Sequence, residues 1–113
     1  MESCLFCRII RGEIPSSKVY EDAHCFAFRD IQPEAPVHIL VVPKHHVANA
    51  MEGAEVPGLM DALFAAAANV ARQEGVADDG FRMVLNTGEK AGQSVPHLHL
   101  HLIGGRKLAW PPG

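Results

Sequence analysis

His97-Leu98-His99-Leu100-His101-Leu102 alternates imidazole and leucine without a break. Side chains two apart on an extended strand share a face. Three imidazoles should therefore line one surface, about 6.5 Å apart, while three leucines enter a core on the other. A helix would scatter both sets around its circumference. The run predicts a strand over residues 97–103, ended by Gly104-Gly105.

Working outward, residues 37–42 are almost continuously apolar and read as a buried strand that Pro43 ends. Residues 19–21 and 25–28 read as two short strands around an Asp22-Ala23-His24 turn, and residues 81–85 as another strand. Apolar residues at 56, 59, 60, 63, 64, 67, 70 and 71 predict a long helix over residues 56–74, with Pro57 in its first turn and Gly75 beyond its end. Residues 4–11 carry helical spacing, with Ser3 as N-cap and Gly12 as stop. The fold class is α+β: an antiparallel sheet of about five strands with one long and one short helix. No repeat or linker divides the chain, so residues 1–113 are expected to form one domain.

Composition removes several function classes. A net charge of −3 argues against a broad grip on nucleic acid polymer or anionic membrane. No apolar run reaches the roughly 18 residues of a membrane span. Three cysteines do not make a disulfide framework. Met1-Glu2-Ser3-Cys4 lacks the pattern of a secretory leader, so the expected compartment is the cytoplasm. The seven histidines stand out against one Trp and one Tyr. His24 is isolated; His38, His45 and His46 form one group and His97, His99 and His101 another.

Three readings of the histidine strand compete: a polar face that happens to be histidine-rich, a metal site built on i, i+2 pairs, and nucleophilic chemistry on a phosphate. A neutral imidazole is a good nucleophile near pH 7. The preceding loop, Asn86 to Ser94, contains Gly88 and Gly92 and is suited to turning backbone amides toward an anion, with Ser94 adding a hydroxyl. That favours the third reading. Asp30 stands before a proline-rich loop, as a turn former or an acceptor for hydroxyl donors. By composition alone Phe6 and Phe28 read better as plain core, and His38 on a buried strand better as a hydrogen-bonded core histidine than as a catalyst. Cys4-x-x-Cys7 is half a zinc site or simply two helix cysteines.

The complete His-φ-His-φ-His-φ-φ pattern, with φ apolar, resembles the histidine triad family. The likeness extends through Phe26-Ala27-Phe28-Arg29-Asp30-Ile31, Ala35-Pro36-Val37-His38, Val42-Pro43-Lys44-His45-His46 and Gly92-Gln93-Ser94-Val95. The ending Trp110-Pro111-Pro112-Gly113 is similar to that of the histidine triad nucleotide-binding branch. The resemblance implies hydrolysis of purine nucleoside phosphoramidates through a nucleotidyl-histidine, with dinucleoside polyphosphate hydrolysis or non-catalytic nucleotide binding as alternatives. It implies His99 as nucleophile, His101 at the phosphate and leaving group, His38 behind them, and Ser94, Asn86, Gly92 and Gln93 on the phosphate side. Asp30 would take the ribose hydroxyls, and Phe6, Ile9, Ile14, Phe28 and Ile31 would surround the base. No organic cofactor is implied. Some similar bacterial proteins carry a structural zinc, which maps onto Cys4, Cys7, His46 and His97, with His45 the alternative to His46. A homodimer is also implied, burying the small residues of the long helix and bringing the tail, Trp110 included, to the partner's site.

Overall fold

A computed structural model describes residues 3–113; the reading of Met1 and Glu2 as free of a leader lies outside them. The strands are β1 (Lys18–Glu21), β2 (Cys25–Arg29), β3 (Val37–Pro43), β4 (Phe81–Val84) and β5 (Leu100–Gly104). They form one sheet in the order β1-β2-β3-β5-β4, with every neighbouring pair antiparallel. The helices are α1 (Leu5–Ile10), α2 (Ala50–Gly53) and the long α3 (Leu59–Gln73). No described helix is long and apolar enough to cross a membrane.

The continuous apolar run of β3 is explained by burial on both faces. Ile39 and Val41 join Cys25, Ala27, Leu100 and Leu102 under Leu59, Leu63, Ala66, Ala67 and Val70 of α3. Leu40 and Val42 point the other way, with Phe26 and Phe28, against Phe6 and Ile9 of α1. Each fully buried aliphatic side chain contributes about 1.5–3 kcal/mol. The α3 face therefore anchors the sheet, and the smaller α1 face is left for a site. The β1–β2 turn is closed by Asp22, whose Oδ1 accepts from the His24 and Cys25 amides at 2.8 and 2.7 Å.

Four sequence expectations need correction. Pairing of the last strand begins at Leu100, not His97: the Leu98 amide donates instead to the Val47 carbonyl at 2.8 Å. The alternation still holds, because Leu98, Leu100 and Leu102 all enter the α3 core. The long helix starts at Leu59 rather than Val56, since Gly58 has φ +78°, a left-handed conformation that ends any helix approaching from Val56 and Pro57. Cys4, not Ser3, caps α1: its Sγ accepts from the Cys7 amide at 3.4 Å. A second short helix, α2, was not expected. Its signal is Asn49 followed three residues later by Glu52: Asn49 Oδ1 accepts from the Glu52 amide, and Glu52 Oε1 from the Ala48 amide.

Candidate active site

On the α1 side of the sheet lies a cavity of about 380 Å³. Phe6, Ile9, Ile14, Phe28, Asp30, Ile31, Ser94, His99 and His101, all singled out from the sequence, line it. Leu5, Pro15, Ser16, Arg29, Leu40 and Val95 line it too and were not anticipated. Leu40 was legible, because it stands two residues from His38 on β3 and so shares its face. Ile31 is 94% exposed at the rim.

Hydrogen bonding fixes the histidine tautomers. The His97 carbonyl can only accept, so His99 Nδ1, 2.8 Å away, carries a proton and donates it. Neutral His99 then has its lone pair on Nε2. Phe6 packs edge-on against the ring with centroids 5.1 Å apart, and His99 is only 7% exposed. His101 lies beside it at 5.1 Å between ring centroids.

Behind His101 stands His38, buried on β3. The Glu34 amide donates to His38 Nδ1 at 3.0 Å, so neutral His38 holds its proton on Nε2. That nitrogen faces His101 Nδ1 at 2.9 Å and Asp30 Oδ2 at 3.4 Å. His38 donates and His101 Nδ1 accepts, which leaves the His101 proton on Nε2. Burial, then the neighbouring His99 and His38, push His101 down from 6.5 to about 4, so it is neutral near pH 7. Asp30, His38 and His101 are close enough to suggest a cation site, but a protonated Nε2 on His38 has no lone pair to give one.

Cys4, Cys7, His46 and His97 form a second cluster, their ligand atoms all within 4.8 Å of one another. Here the tautomer works the other way. The His97 Nε2–H donates to the Pro43 carbonyl at 2.9 Å, which leaves Nδ1 free to ligate. Nδ1 lies 3.0 Å from His46 Nδ1, 3.3 Å from Cys4 Sγ and 3.6 Å from Cys7 Sγ; Cys7 Sγ lies 3.4 Å from His46 Nδ1. Tetrahedral zinc with bonds of about 2.0–2.3 Å sets its ligands about 3.3–3.8 Å apart, so the donor set fits that ion, with the two imidazole nitrogens needing to part by a few tenths of an ångström. His46, rather than His45, stands beside the cysteines. His45 lines a separate groove near His24 and the start of α3. Burial lowers His97 to about 4 and, with Cys4 beside it, raises the Cys7 thiol. His97 thus belongs by its ring to this cluster and by its carbonyl to His99.

Several expected site residues are not brought to the cavity. Asn86, Gly92, Gln93 and Trp110 do not line it. Gln93 braces its own loop: Oε1 accepts from the Gly88 amide, and Nε2 donates to the Ala48 and Val95 carbonyls at 2.7 and 3.0 Å. The expected anion-cradling loop is largely closed on itself. The amides of Ala91 and Gln93 donate to Gly88 O, and that of Gly92 to Glu89 O. Only Ser94, at the end of the loop, reaches the cavity with Val95. Trp110 is 79% exposed and lies over the Arg82 guanidinium, 6.0 Å from Cζ to the ring centroid.

Comparison with known proteins agrees with this architecture. The chain is 54% identical over 113 residues to an uncharacterized HIT-like protein of Synechococcus elongatus, covering 99% of this chain and 98% of that one. It is 45% identical over 108 residues to the purine nucleoside phosphoramidase of Escherichia coli (95% and 91% covered). It is 50% identical over 114 residues to a 14 kDa zinc-binding protein of Brassica juncea (96% and 98%). Among solved structures, a HIT family hydrolase from Legionella pneumophila superposes with a TM-score of 0.93 at 45% identity, covering 98% of this chain and 100% of that one. A family profile described as the HIT domain matches residues 11–108. With its histidine strand, its five-stranded sheet and these relatives, the chain belongs to the HIT domain family.

Proposed function

We propose that the chain is a hydrolase of purine nucleoside phosphoramidates, acting through a nucleotidyl intermediate on His99. The observation that carries this reading is the bond from His99 Nδ1 to the His97 carbonyl, which leaves Nε2 as a lone-pair nucleophile in the cavity wall. The name of the Escherichia coli relative supports the substrate class.

The purine lies among Phe6, Ile9, Ile14, Phe28 and Ile31, and the ribose hydroxyls donate to Asp30. Ser94 donates to the phosphate. His99 Nε2 attacks the α-phosphorus and the P–N bond breaks. The amine leaves with the proton of His101 Nε2. Water then attacks the phosphorus, returns a proton to His101, and releases the nucleoside monophosphate and free His99. The proton that leaves with the amine comes from a neutral His101, a state its burial favours. The reaction calls for no organic cofactor and no nucleic acid polymer.

Cys4, Cys7, His46 and His97 hold a structural zinc in this reading, supported by the name of the Brassica juncea relative. Bound there, the ion supplies a cross-link between α1 and the segment that carries His99. Cysteines that serve as ligands and form no disulfide framework fit a reducing compartment, the cytoplasm. Residues 1–113 act as one domain and assemble as a homodimer. Exposed Phe64 and Ala65 on α3 supply an apolar contact face, and the Trp110 tail reaches toward the partner's cavity.

The test is turnover of an adenosine phosphoramidate beside a dinucleoside polyphosphate. Preferred cleavage of the phosphoramidate is expected. Preference for the polyphosphate would move the chain to the other hydrolase class, and tight nucleotide binding with neither cleaved would make it a binding protein.

A further inference from the structure

Asp30 and His38 are held together at more points than a ribose anchor requires. The Asp30 amide donates to the His38 carbonyl at 3.0 Å. The Gln32 amide fixes Asp30 Oδ1 at 2.9 Å. Oδ2 is left 3.4 Å from His38 Nε2, within ion-pair reach, and the carboxylate lines the cavity.

His38 has one proton to give. The Glu34 amide is a fixed donor and occupies Nδ1, so the proton stands on Nε2. Two acceptors face it. His101 Nδ1 is nearer, at 2.9 Å, and neutral; Asp30 Oδ2 is farther, at 3.4 Å, and charged. A carboxylate attracts a donor about twice as strongly as a neutral acceptor, so it competes across the longer distance. Whatever share of the proton Asp30 takes is lost to His101 Nδ1. His101 is then less firmly held in the tautomer that keeps its own proton on Nε2.

We infer that Asp30 is a positioning residue for the chemical step: a ribose diol that occupies its Oδ2 commits the His38 proton to His101 Nδ1 and so keeps the His101 proton on Nε2. The inference rests on the nucleotide reading above and extends it. Two hydroxyls donating to Oδ2 use its lone pairs and weaken its pull on His38. The sugar then enters the rate as well as the affinity, because its binding completes a donor that acts on the leaving group. The site would select nucleotides with both the 2′- and 3′-hydroxyls free in the rate constant as well as in KM.

The experiment compares an adenosine phosphoramidate with its 2′,3′-dideoxy counterpart under single-turnover conditions, on the wild type and on Asp30→Asn. In the wild type, loss of the diol should lower the rate constant at saturation about three- to tenfold, the range for one hydrogen bond, besides raising KM. In Asp30→Asn the uncharged amide no longer competes for the His38 proton, so the two substrates should react at equal rates. A dideoxy substrate that reacts at the full wild-type rate with only a raised KM overturns the inference and leaves Asp30 as a simple anchor. The second readout is the ¹⁵N resonances of His38 and His101. Adenosine monophosphate should sharpen the signature of protonated Nε2 and unprotonated Nδ1 on His101, and the dideoxy monophosphate should not. Identical spectra with both overturn the inference even if no phosphoramidate is turned over. Failure to bind either monophosphate overturns the nucleotide reading with it.

Discussion

Removing the ion proposed at Cys4, Cys7, His46 and His97 should lower the melting temperature by about 17 °C without unfolding the sheet. At free zinc about 1,000-fold above its Kd, linkage contributes about 4 kcal/mol. An unfolding entropy of about 2.1 cal/mol/K per residue amounts to about 0.24 kcal/mol/K for 113 residues. The quotient is about 17 °C. The structure explains why this should be a shift and not a collapse. The cluster ties α1 to the loops before α2 and β5, whereas Leu63, Val70, Leu100 and Leu102 pack the α3 face of the sheet without it. His97 is fully buried, and its bond to the Pro43 carbonyl sets its ring in advance, so little ordering opposes binding. Metal analysis of protein purified without chelator should give about one zinc per chain. Circular dichroism melts then compare untreated protein, chelator-treated protein and Cys7→Ser. The last two should melt together, and the variant should ignore the chelator. A zinc content near zero, or a chelated wild type that melts with the untreated protein, would refute the reasoning.

His99→Ala should reduce kcat/KM by roughly a thousandfold or more, as expected for loss of a nucleophile; a variant keeping over about a tenth of the wild-type rate, about 1.4 kcal/mol, contradicts the assignment. Stability should fall on acidification. His101 titrates from 6.5 in the unfolded chain to about 4 in the folded one, so between these values the unfolded chain binds more protons. Stability is therefore full above about pH 6.5 and declines toward pH 4, by about 2 kcal/mol once partial exposure is allowed for. Urea titrations of metal-free His101→Gln should show a shallower acid decline than metal-free wild type; equal slopes would contradict the burial argument. Leu100→Ala, at a fully buried core position, should cost about 2–5 kcal/mol in urea unfolding, with zinc content unchanged. Light scattering should give a dimer mass, and a monomer at all concentrations would contradict the proposed assembly.

Elements with strong periodicity were legible in the sequence. The alternation at residues 97–102 separated a leucine face from a histidine face, and the run at residues 37–42 announced burial on both sides of β3. The errors lie at boundaries, where backbone partners outweigh side-chain pattern. The amide of Leu98 found Val47 instead of a neighbouring strand, and the left-handed Gly58 displaced the start of α3. The helix at Ala50–Gly53 announced itself through Asn49 and Glu52, but it has too few apolar residues to register by period.

By itself, the sequence determined which imidazoles could share a face, because strand geometry is local and has period two. It also determined that two cysteines and spare histidines were available as soft ligands. Only the tertiary structure decided what each imidazole can do, because a histidine's tautomer is set by the partner of its other nitrogen. The carbonyl of His97 makes His99 Nε2 a lone pair, the carbonyl of Pro43 makes His97 Nδ1 a ligand, and the amide of Glu34 makes His38 a donor. The two longer-range partners, His97 with Pro43 54 residues away and His38 with His101 63 residues away, cannot be read from spacing. They follow from the antiparallel register that lays β3 beside β5.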